Sequence, residues 1–195
     1  MHHLKILIVA VLAYVSNGAS LEDLKMAFRT SGRIFLFMRS NASMYREDWT
    51  CVYYYVRQTR TSYLEELQLK YKNRITDTWD TRNVKAKLTE GPAPDKKGTL
   101  TVDSFYGIQE KKEMTLEYWN DTEKCFVFSV HNKKANKKCE LHQWETNVNE
   151  NRLPPYGRSP GYHACETQFY NICPERRSPI LVYETAQCKD KIPDP

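Results

Sequence analysis

Glycine is scarce in this chain, at seven residues in 195, and the shortage removes whole classes of chemistry. No glycine-rich loop is available to cradle a phosphate. No G-x-S-x-G turn is present to raise a nucleophilic serine. Histidine is equally thin beyond the leading segment. His131, His142 and His163 remain there, and none has zinc-like spacing to another ligand. The reading is therefore of a protein that is not an enzyme, with no catalytic residues, no cofactor and no metal. Long apolar runs are missing as well. The one run, residues 6–15, falls short of the roughly 20 residues that a membrane span needs. Basic charge does not gather into blocks beyond the pairs Lys111-Lys112, Lys133-Lys134 and Lys137-Lys138. A nucleic-acid stripe would need greater density with interleaved stacking aromatics, so neither membrane nor nucleic acid is expected as a partner.

What is present begins with that short run. Lys5 precedes it, and Gly18, Ala19 and Ser20 follow, the order of a secretory signal with a small-residue cleavage site. Residues 1–19 are read as a signal peptide and 20–195 as one secreted, extracellular domain. Losing Lys5 takes the formal charge from +5 to +4. All six cysteines lie after the signal: Cys51, Cys125, Cys139, Cys165, Cys173 and Cys188. An even count in an oxidising compartment points to three disulfides, whose connectivity the count leaves open. Asn41-Ala-Ser43 and Asn120-Asp-Thr122 fit the N-glycosylation pattern, which places both asparagines on the surface.

From residue 33 the chain reads as short strands. Residues 34–38 are apolar throughout, as in a strand buried on both faces. Residues 50–56 are dense in aromatic and β-branched side chains. Residues 67–72, 84–88, 100–102, 114–118 and 126–130 alternate apolar with polar, and 137–145 follows a polar turn as a hairpin partner. Residues 91–98 are a breaker-rich loop. Eight strands at this spacing suit a barrel or a sandwich. Helices are expected over 21–30, with Leu21, Leu24 and Phe28 on one face and Gly32 as a stop, and over 161–173. A short strand at 180–184 returns to the body.

The order of features resembles the tick salivary lipocalins, the group that includes the histamine-binding proteins. The resemblance rests on the leading helix, Thr50-Cys51-Val52, Cys125-Phe126-Val127-Phe128, Cys139-Glu140-Leu141, a proline-rich loop, the helical Cys165 and Cys173, and the terminal Cys188. It implies an all-β, eight-stranded antiparallel barrel with an N-terminal and a C-terminal helix. It also implies the disulfides Cys51–Cys188, Cys125–Cys165 and Cys139–Cys173. With Cys139 turned outward to its partner, alternation turns Glu140 and His142 into the barrel.

The resemblance implies a ligand set too, with departures. Glu140 stands at the position of a ligand-binding Glu of the family's amine binders, and Tyr45 where those proteins carry a ring-stacking Trp. Arg82 stands where a second pocket takes a Glu, and Phe126 and Leu116 replace acids. Fewer inward carboxylates favour an amphiphile over an amine: Phe126, Phe128, Met114 and Leu116 supply a wall and Arg82 a partner for an anionic head. The leading expectation is a monomer that sequesters a lipid or amphiphilic mediator, such as a fatty acid or eicosanoid. Two others are carried. One is a biogenic amine, histamine or serotonin, held through Glu140 and aromatic faces. The other is a host immune protein bound on the outer surface.

Overall fold

The computed structural model describes residues 19–40, 48–58, 64–103, 111–130, 137–148, 164–173, 179–184 and 188. Helix α1 (Leu21–Ala27) leads into β1 (Ile34–Arg39), β2 (Trp49–Gln58), β3 (Leu64–Asn73), β4 (Trp79–Glu90), β5 (Gly98–Asp103), β6 (Lys112–Asn120), β7 (Cys125–Val130) and β8 (Lys138–Trp144). Helices α2 (Glu145–Val148) and α3 (Ala164–Ile172) and strand β9 (Ile180–Leu181) follow. Each of β2 to β8 pairs with the next, β8 pairs with β1, and β1 pairs with β2, so the antiparallel sheet closes on itself. The result is a closed eight-stranded barrel.

The closure between β1 and β2 has a particular construction. Direct pairing covers only Ile34↔Tyr54 and Phe35↔Tyr53. Beyond it both strands bulge, β1 between Leu36 and Met38 and β2 between Thr50 and Tyr53. A bulge puts one extra residue in a strand and resets which face the following side chains take. Val182 fills the resulting gap: its N–H donates to Phe37 O at 3.0 Å, and its carbonyl accepts from Cys51 N at 3.0 Å. Its side chain joins the interior cluster with Ile34, Leu36, Val52 and Tyr54. Cys51, with φ 51°, sits in the β2 bulge and packs outside with Cys188.

Helix α1 closes one end. Ser20 caps it, accepting from Asp23 N at 3.2 Å, while Asp23 Oδ2 accepts from Ser20 N at 2.8 Å. This reciprocal box satisfies two amides of the first turn. Leu24, Ala27 and Phe28 belong to the interior cluster, and burying Leu24 and Phe28 stabilises by about 1.5–3 kcal/mol each. The Trp144 indole N–H donates to Ala27 O at 2.9 Å and ties the helix to β8. The helix ends on Phe28, before the Gly32 expected from the sequence.

A second apolar layer lies outside β1, β2, β7 and β8. Phe35, Tyr53, Val127 and Leu141 meet Phe169 of α3, Val148 of α2 and Tyr183. That layer makes β1 buried along its whole length. The opposite wall has no such cover, and β4 alternates exposed and buried from Asn83 to Leu88. The disulfides are Cys51–Cys188, Cys125–Cys165 and Cys139–Cys173, the pairs that the resemblance implies. The last two fasten α3 to β7 and β8. Residue Glu145, read from sequence as the end of the last barrel strand, instead opens α2. Among the described residues no helix is long and apolar enough to cross a membrane.

Candidate functional site

Among the described residues the interior cluster is apolar beside one connected polar group, Glu140, His142 and Tyr54. Glu140 and His142 lie on the inward side of β8, 0% and 1% exposed. They take that side because Cys139 and Leu141 face the outer layer and side chains alternate. His142 Nε2 lies 3.3 Å from Glu140 Oε2, and its Nδ1 lies 3.4 Å from Tyr54 Oη. The imidazole is stacked on Phe126 at 5.1 Å and 9°, with Phe128 and Tyr54 edge-on at 5.5 and 5.7 Å. Burial pushes the Tyr54 phenol well above its ordinary pKa, and the Glu140 charge pushes it further. Glu140 Oε1 has no hydrogen-bond partner among the described residues.

Arg39 faces Glu140 from β1. The β1 bulge places Arg39 directly across from Glu140, and opposed residues in an antiparallel pair share a face. Arg39 is 1% exposed. The ionisable side chain in contact with Glu140 is His142, at 3.3 Å. Arg39 Nε, like Glu140 Oε1, has no hydrogen-bond partner among the described residues.

Beside this group is a cavity lined by Tyr54, His142, Leu67, Leu69, Val84, Leu100, Val102 and Met114. Its volume is about 10 Å³. That is room for about one water. A larger guest enters only as lining side chains move, and Met114, with its flexible thioether, is suited to do so.

The end opposite α1 carries a second cluster. Trp49, at the start of β2, stacks on Tyr71 at 3.4 Å and 10°. The Arg82 guanidinium lies over both rings, at 5.6 and 5.8 Å, and its Nε donates to Tyr71 Oη at 3.1 Å. Arg82 itself is exposed. It belongs to the rim and not to the interior.

The expected wall residues Met114, Leu116, Phe126 and Phe128 are all buried in the interior cluster. Tyr45 and Asn41 lie outside the described residues. Asn120 is described: its Oδ1 accepts from Thr122 N at 3.0 Å and Glu123 N at 2.9 Å in the β6–β7 turn. The sequence reading missed Arg39 and Tyr54. Strict alternation from Ile34 sends Arg39 outward, and the run Tyr53-Tyr54-Tyr55 hides which ring turns in. The signal for Tyr54 was its even spacing from Val52. Glu123, Cys125 and Cys165 come together as a group of metal-ligating types, but the two sulfurs are bonded to each other and Glu123 Oε2 accepts from the first amide of α3 at 2.8 Å.

Comparison with known proteins completes the picture. The profile described as tick histamine binding protein matches residues 19–190. The chain belongs to that family. Solved structures similar to it include apocrustacyanin C2, at 15% identity over 79% of this chain and 81% of that one with a TM-score of 0.47. Apocrustacyanin C1 is similar at 17% identity over the same shares, with a TM-score of 0.48. No curated protein is matched. Membership makes the barrel that of a small-molecule-binding lipocalin.

Proposed function

We propose that the protein is secreted after removal of residues 1–19 and sequesters a small amphiphilic mediator, a fatty acid or eicosanoid, in the barrel. One observation carries this. Among the described residues Glu140 is the one buried acid, and it stands across from the buried Arg39. An amine would meet a single buried acid among the described residues, and that acid already has His142 Nε2 at 3.3 Å. An apolar body asks nothing of it and would be met by Met114, Leu67, Leu69, Val84, Leu100 and Val102 of the cavity lining, with the expected Leu116, Phe126 and Phe128 packed in the same interior cluster. Arg82, at the rim over two stacked rings, is placed to meet an anionic head.

A second reading is amine capture, the activity that the family's name describes. It is favoured by Glu140 Oε1, which has no hydrogen-bond partner among the described residues, and by the rings grouped around His142. One experiment separates the two. The protein is purified from the medium of secreting cells, its mass is measured, and native mass spectrometry is run against fatty acids, eicosanoids, histamine and serotonin. Amphiphilic capture predicts a mass consistent with a start near Ser20, retention of the anionic amphiphiles, and binding weakened about tenfold or more in Arg82→Glu. Retention of the amines alone, lost in Glu140→Gln, would replace this reading with the second.

A further inference from the structure

The bulge in β6 decides which way the glycosylation pattern Asn120-Asp121-Thr122 points. Met114 and Leu116 turn into the barrel, and unbroken alternation would send Tyr118 and Asn120 after them. The offset between Leu116 and Tyr118 reverses this. Trp119 packs against the interior cluster and Tyr118 against the outer one. Asn120 stands across from Cys125, a member of the outer cluster, and opposed residues share a face. The Asn120 side chain therefore leaves the barrel on its outer side, at the end of β6, with Asp121 and Thr122 exposed beside it.

The bonds that hold this side chain leave room for a sugar on its nitrogen. Oδ1 accepts from Thr122 N and Glu123 N, which fixes the amide plane. Nδ2 carries two N–H groups and donates to Tyr118 Oη at 3.4 Å. Replacing one N–H by a sugar leaves Oδ1 both of its bonds and keeps an N–H for Tyr118. The same contact brings the half-buried Tyr118 beside the linkage. Its ring is an apolar surface against which the carbon face of a sugar can pack.

We propose that Asn120 carries an N-linked glycan and that the Tyr118 ring is the platform for its first sugar. The donor is a lipid-linked oligosaccharide diphosphate. Asn120 Nδ2 bonds to C1 of the sugar, and the bond from C1 to the phosphate oxygen breaks. The lipid diphosphate leaves with the bonding pair, and the amide gives up one proton. Transfer takes place in the secretory pathway, so the assignment rests on secretion as proposed above. Because Asn120 points outward, the barrel can close with the sugar in place.

The full chain is expressed in secreting eukaryotic cells, once behind its own leader and once behind the leader of a protein known to be secreted. Glycans are released by an amidase in heavy-oxygen water, which labels each occupied asparagine, and peptides are mapped by mass. The label should fall on position 120 and disappear in Asn120→Gln. Removing the whole glycan should lower the Tm by about 2–4 °C, whereas trimming it to the first sugar should not. In Tyr118→Leu the glycan should still attach but its removal should leave the Tm unchanged. Tyr118→Phe, which keeps the ring, should keep the dependence, and trimming of the wild type tests the platform even where Tyr118→Leu does not fold. An unlabelled position 120 in secreted protein would overturn the proposal. A Tm indifferent to the glycan, or equally sensitive in folded Tyr118→Leu, would overturn the platform. Retention in the cell behind the chain's own leader, with position 120 labelled behind the other, would sink secretion and leave the site standing.

Discussion

Glu117 is a half-buried carboxylate put to a different use from Glu140. It sits at the β6 bulge between Leu116 and Tyr118, with its side chain 7% exposed. Lys97 Nζ and Lys137 Nζ approach it at 2.7 and 2.6 Å, and Ser129 Oγ donates at 2.6 Å. Burial alone would raise its pKa, but the bonds from Lys137, Lys97 and Ser129 outweigh burial and pull it from 4.5 to about 2. A depressed acid stabilises the fold above its unfolded-state pKa and ceases to do so as pH falls through the folded one. Both lysines are partly exposed, which screens the pair. Glu117→Gln should therefore cost about 1–2 kcal/mol at pH 6. Urea unfolding should show the gap between variant and wild type closing as pH drops from 4.5 toward 2. At this scale the sequence was legible where strands run true and illegible where they bulge. Glu140 and His142 face inward by simple alternation from Cys139. Arg39 follows a bulge and Glu117 occupies one, and a one-residue offset reverses every face assignment after it.

Among the elements, α1 depends on a neighbour's lack of a side chain. A Cβ on Gly98 would lie 2.6 Å from Ser20 O and 2.8 Å from Leu24 Cβ. The first of these is backbone, held by the bridge Ser20↔Lys97 and by the 2.9 Å bond from Gly98 N to Ala19 O. It cannot turn aside as a flexible side chain could. Gly98→Ala should lift the helix from the barrel end at a cost of about 1–3 kcal/mol, read as a lower Tm with altered fluorescence of Trp144, which hydrogen-bonds Ala27. Element types were readable because alternation, an apolar run or aromatic and β-branched density marks each strand. Their ends were less so. The stop at Phe28 and the short α2 are set by packing and by the contact of Glu145 with Arg33, at 2.9 Å, neither of which leaves a local signature. The insertion of Val182 between β1 and β2 joins segments more than a hundred residues apart, and no window of sequence could announce it.

For the whole molecule, closure was the question that strand pattern left open, since alternation reads the same in a barrel and a sandwich. The β1–β2 pairing settles it. The barrel is held shut at that seam by the segment carrying Val182, and Cys188 ties this segment to Cys51 across a separation of 137 residues. Such a link removes much of the unfolded chain's freedom. Replacing both cysteines by alanine should cost about 2–5 kcal/mol in denaturant unfolding, with the seam the first place to lose hydrogen-exchange protection. Amides protected equally all round the barrel in that variant would show that the seam closes without the link.

The plug formed by α1 gives the barrel a floor. With Leu24 and Phe28 wedged across it, the capture proposed above would have its guest enter and leave by the other end, where Trp49, Tyr71 and Arg82 stand. On that proposal, substitutions at these three described side chains would tune residence time without altering how the inner chamber recognises what it holds.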